Sequence, residues 1–366
     1  MTTMLALRAH RDSTVLVLDE VPIPEPGPLD VVVKVAAAGL APGMMRLLAM
    51  GAFKHLPTTL GHEAAGTIAA VGGQVHDFGI GDRVRVHPNL NCGRCAYCRS
   101  GRDMMCREYA MVGHASFDAV VKPLYDEYHN GGIAEYVRIP HWLADRVPDS
   151  VSFDVAAKVH DIANAVNALK CADLRAGSTV VVTAATGTMG TATVRLAEHF
   201  GIAHLVLVGR DAERVSSVAR LAGRISTDVV ALDELAGDWA ATGGLTRRLR
   251  ELAPAGAQAV IDYIPDGPAT VQAMGALAPG GTLVHMGGNT NPVQVPAIAL
   301  MVNCSRFVGT RACTRTDAQE VLRLLETGAL TADDLITHRF PLTDAVKAVD
   351  LLQQRAEPMW MTVVNP

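Results

Sequence analysis

The chain has little of what marks several protein classes. Aromatic residues make up 4% of its 366 residues, the formal net charge is −5, and no basic block or stripe occurs. This composition argues against a nucleic-acid-binding surface. No run of 18 or more apolar residues is present, so the sequence predicts no membrane-spanning helix. The first twenty residues also lack the long apolar core of a signal peptide. We therefore expect neither nucleic acid nor membrane as a partner.

A disulfide framework is not expected either, because the number of cysteines is odd. Four of the seven cysteines cluster within residues 91–106, which fits a reduced protein with a metal site better than a set of disulfides. We therefore expect a cytoplasmic location. The chain is 49% hydrophobic and too long for one core of ordinary size, so its length favours two domains.

The clustered cysteines lie in the stretch "NCGRCAYCRSGRDMMC". They are Cys92, Cys95, Cys98 and Cys106, separated by two, two and seven residues. Four thiolates at this spacing can surround a tetrahedral zinc ion, and a shell of four leaves no position for a substrate. An iron–sulfur cluster would use the same ligands, and chance clustering is the other alternative. The regular spacing favours one structural zinc per chain, with the chemistry elsewhere.

Two patterns follow one another along the chain. Residues 1–150 hold short Val-rich runs broken by Gly and Pro, such as "DVVVKVAAAG" and "GDRVRVHP", which predict a β domain with many turns. From about residue 175, apolar strands alternate with helices, as in "GSTVVVTAATGTMGTATVRLAEHFG". This alternation is typical of a doubly wound parallel sheet, so the sequence predicts an α/β chain.

A loop of small residues follows the first strand of the α/β region. Ala184, Gly187 and Gly190 are spaced A-x-x-G-x-x-G, with Thr188 and Met189 between the two glycines. Small residues let the backbone approach a pyrophosphate, and the helix N-terminus supplies N–H donors and a favourable dipole. Because the loop departs from the strict GxGxxG pattern, its place between a strand and a helix is what predicts a dinucleotide site.

The end of the next strand indicates which dinucleotide binds. An NAD site has an acidic residue there for the ribose 2′-hydroxyl, whereas this chain has Gly209 and Arg210. A guanidinium can hold a 2′-phosphate through paired hydrogen bonds. The alternative is a solvated Arg210 followed by Asp211 as a helix cap. The local pattern favours NADP(H) over NAD.

Several motifs together resemble one family. The stretch "GHEAAG" at 61–66 is similar to the GHExxG motif of the medium-chain dehydrogenase/reductase family, zinc alcohol dehydrogenase type. The four-cysteine lobe, "GDRV" at 81–84, "GGIAEYV" at 131–137 and "LAPGGTLVHMG" at 277–287 fall in the family's order. The resemblance covers essentially the whole chain.

The resemblance implies a fold, partners and further cofactor contacts. It implies a GroES-like β domain formed by residues 1–153 and 294–366, with the zinc lobe at 91–106, and a Rossmann NADP(H)-binding domain at 154–293. It also implies a small-molecule substrate and a homodimer or homotetramer. The further cofactor contacts implied by position are Arg46, Asn164, Gly287 and Arg311.

The chain departs from the family where the zinc enzymes hold their catalytic metal. The early ligand in the family is usually a Cys, followed two residues on by a Ser or Thr that relays a proton, and then by an Asp. By resemblance, Ala41 occupies the ligand position, Gly43 the hydroxyl position and Met44 the Asp position. Three losses within four residues indicate a dismantled site.

Three candidate ligands remain, and they leave two interpretations open. They are His62 and Glu63 of the GHE motif and His160, which aligns with the late ligand of the family. Two imidazoles and a carboxylate can hold zinc with an open position, as in a zinc alcohol dehydrogenase or carbonyl reductase. Alternatively, His62 and Glu63 form a hydrogen-bonded pair and no metal binds, which the loss of the thiolate favours.

Without that metal, simple alcohol oxidation loses its Lewis acid. We then expect NADP(H)-dependent hydride transfer to an activated C=C, C=N or C=O acceptor. His160 is the first candidate proton donor, with Asp161 setting its tautomer or charge. Weaker candidates are His114, His129 and Tyr136. A non-redox lyase or cyclase that uses His160 and Asp161 is a third hypothesis. Residues 117–130 are either a specificity loop or a surface excursion.

Overall fold

The computed structural model describes residues 2–116, 122–355 and 357–366. Its contacts divide the chain into two compact units, one formed by Met1–His160 with Thr314–Pro366 and the other by Asp161–Cys313. We call them the β unit and the parallel-sheet unit. Residues 117–121, the first part of the candidate specificity loop, lie outside the described residues.

The strands and helices have the following bounds. The strands are β1 (Thr3–Ala9), β2 (Leu16–Pro22), β3 (Asp30–Leu40), β4 (Thr58–Thr59), β5 (Glu63–Val71), β6 (Arg83–Val86), β7 (Asn89–Leu90), β8 (Ala110–Met111), β9 (Tyr136–Pro140), β10 (Ala144–Arg146), β11 (Ser178–Thr183), β12 (Ile202–Gly209), β13 (Ser226–Ala231), β14 (Ala257–Asp262), β15 (Leu277–His285), β16 (Arg306–Gly309), β17 (Ile336–Pro341) and β18 (Met361–Asn365). The α-helices are α1 (Met44–Ala49), α2 (Ala96–Arg99), α3 (Pro123–Glu127), α4 (Phe153–Cys171), α5 (Thr188–Leu196), α6 (Ala212–Ala219), α7 (Trp239–Thr242), α8 (Gly244–Leu252), α9 (Ala269–Met274), α10 (Ala297–Asn303), α11 (Arg315–Glu326) and α12 (Ala345–Gln354). Short 3-10 helices lie at Asp103–Met105, His141–Leu143, Arg220–Ala222, Leu232–Glu234, Asp333–Leu335 and Leu342–Asp344. Within the described ranges, none of these helices combines the length and the apolar character that a membrane span requires.

The main sheet of the β unit is built around the Val-rich strand β3. Its strand order is β10-β6-β5-β3-β18-β17, and β9 also pairs with β3. Strand β3 runs antiparallel to both β5 and β18, so the two ends of the chain contribute to one sheet. Leu7, Val33 and Ile68 lie in the apolar core of this unit. The prediction of a GroES-like β fold is confirmed.

The second unit contains a sheet of order β13-β12-β11-β14-β15-β16, in which every pair of neighbours is parallel. Its central strands are apolar on both faces, and Val180–Val182 and Leu205–Val208 are fully buried. Continuous burial of this kind is expected when helices cover both faces of a parallel sheet. The predicted Rossmann fold is therefore confirmed.

The compact units divide at 160/161 and 313/314, whereas the sequence placed the boundaries at 153/154 and 293/294. The later division has a simple cause, because β16 pairs with β15 and so extends the parallel sheet beyond residue 293. The first boundary falls at 160/161 and not at 153/154 because the first two turns of α4, including Lys158, bond to residues of the β unit.

Candidate functional site

The four cysteines of the lobe converge as their spacing predicted. Their sulfur atoms all lie within 4.8 Å of one another. The Sγ atom of Cys95 is 3.5 Å from that of Cys98 and 3.9 Å from that of Cys106. A tetrahedral zinc with Zn–S bonds of about 2.3 Å would hold its sulfurs roughly 3.8 Å apart, so the donor set fits this ion.

Backbone groups around the lobe favour thiolates. The N–H of Cys98 donates to Cys95 Sγ, and this hydrogen bond lowers the pKa of the Cys95 thiol to about 6. The N–H groups of Cys92 and Glu108 both donate to Cys106 Sγ at 3.3 Å. The chain turns at Gly93, whose φ of +65° is a left-handed conformation that glycine adopts without strain.

Buried polar contacts hold the lobe to the β unit. Asp103 lies between two of the cysteines, and its Oδ2 is 2.9 Å from Nε2 of the buried His87. Its Oδ1 accepts a hydrogen bond from the backbone N–H of Arg315, whose guanidinium in turn binds Asp145 at 2.7 Å. Burial alone would raise the pKa of Asp103, but the hydrogen bond and charge of His87 outweigh burial and lower it. These contacts give the lobe a fixed position in its unit.

Glu63 of the GHE motif is engaged by a residue that the sequence analysis missed. Its Oε2 is 2.6 Å from Nζ of Lys158 on α4, and both side chains are completely buried. The ammonium also donates to the carbonyl oxygen of Leu40 at 3.4 Å. Gly39 faces Glu63 across the β3–β5 pair, and a Cβ there would lie 2.3 Å from Oε2. Only a residue without a side chain leaves room for this ion pair. A lone Lys within the apolar stretch "VAAKVHDIA" was the available signal.

Three buried histidines lie next to this ion pair. The ring of His62 is 5.2 Å from that of His160 and 4.5 Å from that of His114, both edge to face. Burial, and then the nearby His62, lowers the pKa of both His114 and His160 well below the usual value. Both imidazoles are therefore neutral at pH 7, so that His160 offers a neutral N–H rather than an imidazolium.

The three weaker candidates, His114, His129 and Tyr136, lie in different surroundings. His114 contacts His62, whereas His129 stacks on His55 at 4.6 Å and hydrogen-bonds Thr58. Burial lowers the pKa of His129 to about 4. Tyr136 lies at the start of β9 and is half-buried. Sequence separation hid the contact between His62 and His114, since the two residues are 52 positions apart in the chain.

Asp161 follows His160 on α4 and is also buried. Consecutive side chains on an α-helix project about 100° apart. A role for Asp161 in setting the tautomer or charge of His160 stays a prediction.

The small-residue loop has the predicted place between a strand and a helix. It begins directly after β11, and Gly187 is the N-cap residue of α5. Ala184 adopts a φ of +47°, a conformation that glycine usually supplies. A Cβ on Gly190 would meet the carbonyl oxygen of Ala185 at 2.5 Å, so the helix packs closely on the loop. Thr188 and Met189 form the first turn of α5.

The end of β12 keeps both features that the sequence suggested. Gly209 is its last residue, and a Cβ there would lie 2.4 Å from Val215 Cγ2. Arg210 is exposed. Asp211 caps α6, and its Oδ1 accepts a hydrogen bond from the backbone N–H of Arg214 at 2.9 Å. The acidic side chain nearest the strand end is thus engaged by its own helix.

The other predicted cofactor contacts are distributed over both units. Gly287 follows β15, and a Cβ there would lie 2.3 Å from the carbonyl oxygen of Ile264. Arg311 is exposed in the parallel-sheet unit, and Asn164 is buried on α4. Arg46 is half-buried on α1 of the β unit. The roles of these residues toward a dinucleotide stay predictions.

One further residue fixes the segment that carries Arg311. The side-chain amide of Asn167 donates to Thr310 Oγ1 at 3.1 Å and to the carbonyl oxygen of Ala312 at 2.7 Å. The backbone on both sides of Arg311 is therefore held against α4. The sequence gave no signal for this contact, because it joins residues more than 140 positions apart.

Comparison with known proteins identifies the family. The model of the alcohol dehydrogenase GroES-like domain matches residues 27–149, and that of the zinc-binding dehydrogenase matches residues 188–327. The chain belongs to the zinc alcohol dehydrogenase-like family of medium-chain dehydrogenases/reductases. It is an oxidoreductase of this family.

Relatives in the family include enzymes of different specificity. L-threonine 3-dehydrogenase from Deinococcus deserti is 26% identical over 360 residues, covering 95% of this chain and 96% of the relative. L-idonate 5-dehydrogenase from Vitis vinifera is 26% identical over 326 residues, covering 87% and 82%. A structure described as a zinc-binding dehydrogenase from Sinorhizobium meliloti 1021 bound to NADP is 26% identical, with a TM-score of 0.83 and complete coverage of both chains.

This family member has a poor donor set at the position of the catalytic metal. Within the described ranges, the four lobe cysteines are the group of His, Cys, Asp or Glu side chains close enough together to share an ion. His62, Glu63 and His160 do not form such a group, and the Glu63 carboxylate binds Lys158. Ala41 offers no ligand atom. The residues present therefore do not fit a second metal ion.

Proposed function

We propose that this chain is an NADP(H)-dependent oxidoreductase that transfers hydride to an activated C=C, C=N or C=O group of a small molecule without a catalytic zinc. The observation that carries this proposal is the buried ion pair between Glu63 and Lys158. Lys158 also donates a hydrogen bond to the carbonyl oxygen of Leu40 at the end of β3, and Ala41 is the next residue. The ion pair occupies the carboxylate of the GHE motif, which could have replaced the missing thiolate.

The choice of cofactor is supported by the end of β12. Arg210 is exposed there, and Asp211 is engaged as the cap of α6 rather than placed for a ribose hydroxyl. The relative from Sinorhizobium meliloti 1021 binds NADP. Bound NADPH would supply the hydride. The loop Ala184–Gly190 would hold its pyrophosphate at the N-terminus of α5.

The neutral histidines limit the acceptor. A metal ion would contribute several kcal/mol of Lewis-acid stabilisation. Without it, the acceptor must already be activated by conjugation or positive charge. We assign His160 the role of hydrogen-bond donor to the charge that develops on the acceptor, through a neutral imidazole N–H, with His62 beside it.

The four lobe cysteines would hold one structural zinc, which takes no part in the reaction because all four of its positions are filled. Elemental analysis of protein purified without added metal tests both metal assignments. We expect about one zinc per chain. Two per chain would favour the alternative, a zinc-dependent alcohol dehydrogenase or carbonyl reductase that uses His62, Glu63 and His160.

The assignment of NADP(H) is tested by Arg210→Ala. Hydrogen bonds to a charged partner contribute about 1.5–3 kcal/mol, so kcat/KM with NADPH should fall by roughly 10- to 100-fold. The value with NADH should change little, because NADH lacks the 2′-phosphate. Arg214→Ala, one turn along on α6, is the matched control. Equal losses with both cofactors would contradict the assignment.

We also propose a homodimer formed through the edge of the parallel sheet. Strand β16 ends the sheet order, and Phe307 on it is exposed. On the neighbouring α10, Ile298, Met301 and Val302 are each more than 60% exposed. An apolar surface beside an open sheet edge is the kind that a second copy covers. Light scattering should show a dimer that Met301→Glu dissociates, whereas Ile80→Glu, at an equally exposed position of the β unit, should not.

A further inference from the structure

We propose that Lys158 excludes a second metal ion from this enzyme, and that removing its amine would create a divalent-metal site formed by His62, Glu63 and His160. The proposal rests on the proposed function, in which the wild-type corner holds no zinc. It goes further because it attributes the exclusion of the second metal ion to the side chain of Lys158, and not only to the loss of the Cys ligand.

The charge at this corner is already balanced. The Glu63 carboxylate is completely buried, and one of its oxygens binds the Lys158 ammonium. The other oxygen, Oε1, is buried and has no hydrogen-bond partner among the residues that the structure describes. A buried anion requires a compensating cation, and here the cation is covalently part of the chain. If the ammonium were absent, the carboxylate would have to take up either a proton or a divalent ion.

The chain fixes the ammonium in this position. Lys158 Nζ also donates to the carbonyl oxygen of Leu40, which directly precedes Ala41. A Cβ on residue 39 would meet Glu63 Oε2 at 2.3 Å and Lys158 Cδ at 2.8 Å, so Gly39 leaves space for the pair and for nothing else. Three separate elements, β3, β5 and α4, therefore meet at the ammonium.

The two histidines are buried and close together, although their ligand atoms do not converge with those of Glu63 while Glu63 is bound to Lys158. His62 and His160 already lie with their ring centres 5.2 Å apart. The nearby ammonium opposes a second positive charge by Coulomb repulsion, which is strong in a buried environment. Lys158 therefore opposes metal binding in two ways, because it binds the Glu63 carboxylate and because its positive charge repels a cation.

The first test compares Lys158→Met with the wild type by elemental analysis after purification without added metal. Methionine keeps an unbranched side chain as far as the ε-carbon and removes the amine. We expect zinc to rise from about one to about two ions per chain. Cobalt substitution should give a second set of visible absorption bands. In Glu63→Gln/Lys158→Met, a neutral pair without a carboxylate ligand, zinc should remain at about one. A folded Lys158→Met protein with one zinc would overturn the proposal.

The second test does not depend on the folding of Lys158→Met. Ala41→Cys restores the thiol of the family pattern on a partly exposed residue. If Lys158 excludes the metal, Ala41→Cys alone should still hold about one zinc, and Ala41→Cys/Lys158→Met about two. Two zinc ions in Ala41→Cys alone would overturn the proposal, since the missing thiol would then be the whole cause. Two zinc ions in the wild type would instead overturn the proposed function.

Discussion

The β unit contains two places where potential metal ligands gather, and they handle charge in opposite ways. In the lobe, four thiols converge to within 4.8 Å, and backbone N–H groups point at their sulfurs. At the GHE corner, the carboxylate is completely buried and neutralised by an ammonium from the same chain. The lobe offers four converging sulfurs that can bind a cation as thiolates, whereas the corner balances its own charge.

The difference shows why residue types alone do not define a metal site. His62, Glu63 and His160 are all competent ligands by chemistry, yet one of them already has a cation. The lobe cysteines contact one another, backbone N–H donors and the side-chain oxygen of Asn91. A ligand set needs donor atoms that converge and that are not already bound to a cation of the same chain, and among the described residues only the lobe meets both conditions.

The largest expected effect comes from breaking the lobe. Cys106→Ser should reduce zinc from about one to near zero per chain and lower the unfolding midpoint by roughly 10 °C or more, because metal-binding free energy is also folding free energy. Elemental analysis and thermal unfolding followed by circular dichroism would measure both. Cys171→Ser, outside the lobe, is the control and should retain zinc. An unchanged midpoint in Cys106→Ser would show that the lobe contributes no stability.

A smaller effect is expected from unbalancing the corner. Lys158→Met leaves Glu63 buried without its cation, which should cost about 3–5 kcal/mol of unfolding free energy in metal-free buffer. Glu63→Gln/Lys158→Met should recover much of this loss, because the double variant buries neither charge. Urea unfolding of the two single variants and the double variant gives the coupling. If the two single effects simply add in the double variant, the bond contributes nothing beyond its parts.

The smallest expected effect is the pH dependence of the unfolding free energy that the buried His114 and His160 cause. Their folded-state pKa lies well below 6.5, so below pH 6.5 the unfolded chain takes up protons that the folded chain does not. The stability is therefore complete above that pH and is lost as the pH falls, by about 1.4 kcal/mol per pH unit for each histidine. Urea unfolding at pH 7 and pH 5.5 should show that His114→Asn reduces this slope by about one proton.

The control for this measurement is Phe53→Leu, which alters the packing against His114 without removing a titratable group. It should leave the pH slope of the wild type intact even if it lowers stability at every pH. An identical slope in His114→Asn and the wild type would mean that His114 is protonated in the folded protein.

Features encoded by local spacing could be predicted from the sequence. The lobe depends on cysteines within 15 positions, and the dinucleotide loop on residues 184–190, so both were legible without a structure. The Glu63–Lys158 bond joins residues 95 positions apart, and the pairing of β16 with β15 depends on a sheet edge. Such contacts form because the whole fold brings the partners together, and no single-residue pattern marks them.

The ion pair at Glu63 also constrains how this sequence can diverge. A cysteine regained at position 41 would lie next to the carbonyl group that still accepts a hydrogen bond from the Lys158 ammonium. Loss of Lys158 first would leave the Glu63 carboxylate buried without a counter-charge. A regained cysteine alone is therefore expected to bind no metal, whereas loss of Lys158 alone is costly until a metal ion replaces the ammonium. Each first step away from the ion pair is thus ineffective or unfavourable, so the proposed metal-free corner is expected to persist among descendants of this enzyme.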